Sequence, residues 1–209
     1  MDKHQLLKLF ISVLTDKKKN KKPAKPSSKI WPWLGLPAPE IQYQSISVTM
    51  GYLVEDLHNK LIDTLNVSLL SKLHKKGKAF GVYAFNPQEE KVVFNQLDHL
   101  FLINDIVYLR ESKLNLDLDN GKSRDTVSRD GPIVKEIKKL LNINFIDAAI
   151  LHPFSGHSFQ HSQLGLVEGI SDFYSLLDLN LTIDDFIWIG SHPEVKNLVN
   201  QIWKIETNS

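Results

Sequence analysis

Six leucines, Leu53, Leu57, Leu61, Leu65, Leu69 and Leu73, recur at every fourth residue. On an α-helix that spacing lays the side chains along one stripe, which Val54, Ile62 and Leu70 widen. A stripe of this length has to be buried, so it commits the chain to a domain packed against a long helix over 52–76. Glu55 and Asp56 near its start and Lys72, Lys75 and Lys76 near its end suit the helix dipole. Gly77 can cap it, and Asn66 and Ser68 are places where it can break.

The segments around the helix have the two-residue period of strands. Residues 41–50, IQYQSISVTM, change apolar phase midway, which predicts a strand with a bulge. AFGVYAF (79–85), KVVFNQ (91–96) and LFLINDIVYLR (100–110) predict an antiparallel meander, with LNLDL (114–118) as an edge strand. Residues 121–131, GKSRDTVSRDG, read as a polar loop. Pro132 opens a helix, 144–151 and 184–190 read as buried strands, and 161–179 as helical despite Gly165 and Gly169. A last helix over 191–205 has a capping box, Ser191 with Glu194, and Pro193 in its first turn. The fold expected is mixed α+β: an antiparallel meander with a long amphipathic helix, then an α-β-α-β-α segment, in a single domain over 31–209.

Ahead of that domain lies a basic arm. Residues 1–30 carry +7 and the other 179 residues −6, although the whole chain is only +1. Residues 1–15 form an amphipathic helix with Leu6, Leu7, Phe10, Val13 and Leu14 on one face, too short to be stable undocked. Residues 16–30, with seven lysines and two prolines, read as a solvated linker. The following WPWLGLPAPE forbids regular structure and holds Trp31 and Trp33, which either anchor the core edge or serve as contact points.

Absent features narrow the function. There is no cysteine, hence no disulfide, thiolate metal site or cysteine nucleophile. No apolar run is long enough to span a bilayer, and the N-terminus lacks the order of a secretory signal, so a cytoplasmic protein is expected. Neither G-x-x-x-x-G-K-[ST], G-x-G-x-x-G after a strand, H-E-x-x-H nor G-x-S-x-G occurs, so no motif implies a cofactor.

Chemistry concentrates instead in LHPFSGHSFQHS, residues 151–162, which follows a predicted strand. If the predicted strand 184–190 runs parallel beside it, His152, His157, His161 and His192 meet at one sheet edge. Neutral imidazoles there suit a Zn²⁺ Lewis acid, with Asp147, Glu168 or Asp172 as a further carboxylate. The spacing H-x4-H-x3-H is itself no metal signature, and each His-Pro pair is also ordinary punctuation at a strand end.

Three functions follow from the sequence. The leading expectation is a non-enzymatic interaction module, an adaptor or chaperone-like subunit of a larger assembly. It would bind other protein subunits through Leu6, Leu7, Phe10, Trp31 and Trp33 and use no metal. In size and charge the body is similar to accessory chaperones and adaptors of bacterial secretion machines, a likeness of composition that touches no particular residue. The second is a metal-dependent hydrolase built on the four histidines. The third is a nucleic-acid accessory protein using the lysine arm, disfavoured because the body is acidic. A weak peripheral membrane contact through the N-terminal helix stays open as well.

Overall fold

The computed structural model of the chain describes residues 1–16, 23–24, 33, 42–65, 72–116 and 120–203. In chain order its elements begin with α1 (Lys3–Thr15), β1 (Pro23–Ala24), β2 (Gln42–Tyr43) and α2 (Gln44–Thr64). Then come β3 (His74–Lys76), β4 (Ala79–Asn86), β5 (Lys91–Gln96), β6 (His99–Ile103) and β7 (Ile106–Ser112). They are followed by α3 (Asn120–Val127), α4 (Pro132–Leu141), β8 (Asp147–His152), β9 (Phe159–His161) and β10 (Gly165–Gly169). The chain closes with α5 (Ile170–Leu176), α6 (Ile183–Ser191) and α7 (Pro193–Trp203). The architecture is mixed α+β, as the sequence predicts. Contacts divide it into two compact units, Met1–Leu61 with Tyr174–Ser209, and Ile62–Phe173. Among the described residues no helix is long and apolar enough to cross a membrane.

The first unit is helical. Asp2 opens α1 with a capping box: its side chain accepts from Gln5 N, and the Gln5 side chain accepts from Asp2 N. The apolar face of α1 packs against α6 and α7 and buries Leu6, Leu7, Phe10, Val13 and Leu14. Each buried side chain contributes about 1.5–3 kcal/mol, which offsets the weakness of so short a helix. Trp33 completes this core. Its ring stacks on Phe186 at 4.7 Å, meets Phe10 at 5.2 Å, and donates from Nε1 to the Phe186 carbonyl at 2.9 Å. A β-carbon at Gly190 would collide with the Trp33 ring, so glycine there makes room for it. His58 lies wholly buried beside Tyr174 and Phe186, and burial pulls its pKa down to about 3.

The second unit holds two sheets. β3, β4 and β5 form an antiparallel three-stranded sheet, and β6-β7-β8-β10-β9 a mixed five-stranded one. In the larger sheet β7, β8 and β10 run parallel, with β6 and β9 antiparallel to their neighbours. Val82 and Ala84 of β4, Leu100 of β6, Val107 and Leu109 of β7 and Ile133, Val134 and Ile137 of α4 share one core. Ile150, Leu164, Val167 and Val127 of α3 form a second cluster. On the opposite face of β7, buried Arg110 pairs with Glu168 through Nε at 2.7 Å and Nη2 at 3.0 Å, and with Asp147 through Nη1 at 2.9 Å. Burial alone would discourage the guanidinium charge, but these carboxylates outweigh it and raise its pKa.

Several expected elements take another form. Among the described residues of 41–50 only Gln42–Tyr43 is strand, and the helix begins at Gln44. The β-branched residues there invite a strand, yet Ile46, Met50, Leu53 and Leu57 also continue the helical spacing. The helix ends at Thr64, and of the lysines placed at its C-terminus Lys75 and Lys76 belong to β3, a strand, while Lys72 precedes it. Gly77, at φ +63°, begins the turn between β3 and β4 instead of capping a helix. The meander is divided between two sheets, residues 114–116 are not strand, and 117–119 lie outside the described residues. Residues 121–127 of the polar loop belong to the helix α3. Within 161–179 the helix is confined to Ile170–Leu176, and 161–169 is a hairpin and strand, because Gly165 takes φ +77° and Gly169 packs directly on the backbone of Gly156.

The most consequential correction concerns 184–190. This segment is the helix α6, with Thr182 and Asp185 in a capping box and Phe186, Ile189 and Gly190 buried at helical spacing. A short run such as FIWI fits either a buried strand or a buried helix by pattern alone. Ser191 therefore ends α6, its hydroxyl donating to the Trp188 carbonyl, and caps nothing in α7. The C-terminal segment reads α4-β8-β9-β10-α5-α6-α7. Of the expected linker 16–30, only Asp16 and the short strand Pro23–Ala24 fall within the described residues.

Candidate functional site

The parallel strands β7, β8 and β10 end at one edge of the five-stranded sheet. Ser112 is in register with Leu151, and His152 with Gly169. Because β6 runs antiparallel to β7, its first residue, His99, lies opposite Arg110, at the same edge. Carboxyl ends of parallel strands are where such sheets place ligands, because the loops there diverge and leave backbone and side chains reachable.

One face of the sheet changes character at this edge. Along β7, Val107 and Leu109 enter the core, and the two-residue period puts Glu111 and Lys113 on that face next. Along β6, Leu100 enters the same core, and Asp98 precedes it by two residues. Continuing the β6–β7 register from His99 and Arg110 sets Asp98 opposite Glu111. A hydrogen bond fixes this junction: Ser112 N donates to Asp98 Oδ2 at 2.9 Å. Along β8, Ala148 and Ile150 are followed by His152, beside Lys113. Two carboxylates, a lysine and a histidine thus succeed an apolar core on one face.

These groups are held rigidly and are largely screened from water. Glu111 Oε2 is shut off from solvent, and Lys113 and His152 are 8% and 6% exposed. Lys113 N donates to the Leu151 carbonyl at 2.9 Å, which extends the β7–β8 pairing past Ser112. Its Nζ points to Ser123 Oγ of α3 at 3.4 Å. His152 Nδ1 lies 2.8 Å from the Lys113 carbonyl; a carbonyl can only accept, so Nδ1 carries the proton. From the other face, buried His99 meets Ser112 Oγ at 2.7 Å. A cleft of about 290 Å³ lies between the β4–β5 hairpin and α3 and α4, lined by Phe85, Asn95, Asp125 and Thr126 among others.

The four histidines singled out in the sequence are not a cluster. His157 is 87% exposed and pairs through Nδ1 with Asp172 at 3.1 Å. His161 Nδ1 accepts from Gln163 N and Leu164 N. His192 follows the helix α6, where a strand was expected, and its Nδ1 accepts from Glu194 N. Only His152 stands at the carboxyl edge. Among the described residues no three His, Asp or Glu side chains converge to hold a metal ion. Asp172 accepts from Ser158 Oγ and N as well as from His157, and chiefly the Ser158 bond lowers its pKa. This group fastens the loop after β8 onto α5. Ser155 Oγ donates to the His157 carbonyl and has no base beside it.

The expected partner-binding residues Leu6, Leu7, Phe10 and Trp33 are buried in the first unit's own core, and Trp31 lies outside the described residues. Asp98, Glu111 and Lys113 were missed in the sequence. Their signal is E-x-K closing an apolar strand, with an aspartate just before the preceding strand. No family model, characterised protein or solved structure matches the chain.

Proposed function

We propose that the protein is a divalent-metal-dependent hydrolase of phosphodiester bonds in nucleic acid. Asp98 and Glu111 are the metal ligands and Lys113 is the cation beside them. The observation that carries this is the Ser112 N–Asp98 Oδ2 bond, which ties the Asp98 carboxylate to the residue between Glu111 and the buried Lys113. Two carboxylates and few other protein ligands suit Mg²⁺ or Mn²⁺, which keep several waters and bind through substrate phosphate. Such an ion, when bound, polarises the phosphoryl oxygen and makes water a better nucleophile. Lys113, held by its backbone and by Ser123, supplies a positive charge for the phosphate or for the water that attacks it.

Although the body as a whole is acidic, two local lysine clusters make nucleic acid the phosphodiester of this reading. Seven lysines in 16–30 form a local polycation, and Lys72, Lys75, Lys76 and Lys78 form a second. This reading shares metal-dependent hydrolysis with the sequence expectation but not its four histidines. Of the residues expected to contact a partner, Leu6, Leu7, Phe10 and Trp33 are buried, and Trp31 lies outside the described residues.

The test is cleavage of supercoiled plasmid and of single-stranded DNA by the purified full chain, with Mg²⁺ or Mn²⁺ and with EDTA. Metal-dependent cleavage is expected. It should vanish in Asp98→Asn and Glu111→Gln, and fall at least about 100-fold in Lys113→Met. Cleavage of neither substrate with either ion, or equal cleavage by Glu111→Gln, would overturn the proposal.

A further inference from the structure

The outer face of the three-stranded sheet carries an aromatic surface that the fold does not use. Val82 and Ala84 of β4 face the core, so the alternate residues Tyr83 and Phe85 face outward, at 44% and 52% exposure. Their cross-strand partners on β5 are Phe94 and Val92, the latter 62% exposed. Tyr83 meets Phe94 edge-on at 5.2 Å, and His74 of β3 meets Tyr83 at 5.3 Å. Gly81 leaves the space that the Phe94 ring covers, since a β-carbon there would come within 2.9 Å of it. The rings therefore form a continuous ladder across three strands. Contiguous exposed apolar surface of this kind marks a binding face.

Its charge indicates what binds. Residues 72–80 contain Lys72, Lys75, Lys76 and Lys78 and no acidic residue. Lys76 Nζ lies 5.8 Å from the centre of the Phe94 ring, so cation and π-face are presented together. The acidic residues of this sheet, Glu89 and Glu90, sit at the far turn, and Glu89 is paired with Lys91. Rings for stacking and lysines for phosphates, side by side on an open sheet, are what a single strand with unstacked bases needs. A duplex hides its base faces and would use only the lysines.

We infer that this face is a stacking platform for single-stranded nucleic acid, with Tyr83, Phe85 and Phe94 under the bases and Lys76 and its neighbours along the backbone. The inference deepens the hydrolase proposal by naming its substrate class, and rests on it for the link to cleavage. β5 runs from the platform toward the carboxylates, with only Leu97 between Gln96 and Asp98.

The experiment is fluorescence anisotropy in EDTA, so that binding is read without cleavage. The full chain is titrated against labelled oligo(dT) of about 20 nucleotides, long enough to cross one binding face, and against a duplex of equal length. Single-strand preference is expected, with at least about fivefold weaker binding in Tyr83→Ala and in Phe85→Ala. Tyr83→Trp keeps a stacking ring and should retain affinity. Because both side chains are exposed, unchanged melting temperatures should accompany the losses. The steep salt dependence contributed by lysines should remain in the ring variants. Ring variants that bind single strands as tightly as the wild type, or a preference for duplex, would overturn the platform. If ring-dependent binding holds while cleavage is absent, the platform stands and the hydrolase proposal falls.

Discussion

Arg110 shows how one residue can look functional and be structural. It is an arginine at 3% side-chain exposure, bonded to two carboxylates one residue before Glu111. The strand's two-residue period separates their roles, placing Arg110 on the face away from the proposed site. A buried ion pair broken on one side leaves a charge with no compensation. Arg110→Ala should therefore cost about 3–5 kcal/mol in urea unfolding, and replacing Arg110 and Glu168 together by leucine should recover most of it. A double variant as unstable as the single one would contradict this account. Neighbouring residues in one strand thus divide between stability and chemistry, and sequence distance does not separate them. The histidines teach the converse. Four of them looked convergent on paper, but only His152 is at the edge, because the strand thought to deliver His192 is a helix. Asp98, Glu111 and Lys113 were visible as letters. What the sequence did not supply was the pairing of β6 with β7, which brings Asp98 within hydrogen-bond reach of Ser112, next to Glu111.

At the scale of elements, legibility followed the strength of local pattern. α1 and α4 stand nearly where predicted, because amphipathic spacing, a capping Asp2 and Pro132 all agree. β4 and β5 stand where their alternation places them, whereas 100–110, expected as one strand, is the hairpin of β6 and β7 turning at Asn104 and Asp105. Elements with mixed signals were misread. Residues 41–50 have β-branched residues on a helical stripe, and 184–190 is too short for its period to decide. Residues 161–179 hide a strand because its constraint is tertiary: Gly169 must accommodate the backbone of Gly156 and His157, each 2.6 Å from where a β-carbon would be. The loop after β8 is then fixed by Ile170 N to Ser155 O at 2.7 Å and Ser171 N to Gly156 O at 3.0 Å. None of these partners is near in sequence, so no window could have found them.

For the whole molecule, acid stability has a definite sign. His58 has its pKa lowered from 6.5 to about 3 by burial. Between those values the unfolded chain binds a proton that the folded chain refuses, so stability is full above pH 6.5 and declines as pH falls toward 3. His58→Leu should flatten this decline when melting temperature is followed from neutral to acid pH, whatever it does to stability at neutral pH. An acid limb equally steep in the variant would place the titration elsewhere. Charge at this scale is asymmetric too. The basic arm and the lysines of β3 offset an otherwise acidic chain, which suits a protein that gathers a polyanion locally. The central claim is that Asp98 and Glu111 form a metal-holding pair, and isothermal titration of Mn²⁺ into the full chain tests it most directly. Stoichiometric binding that is lost in both Asp98→Asn and Glu111→Gln, with the fold retained by circular dichroism, is the result predicted. Mn²⁺ bound equally by wild type and both variants, or not bound at all, would contradict it.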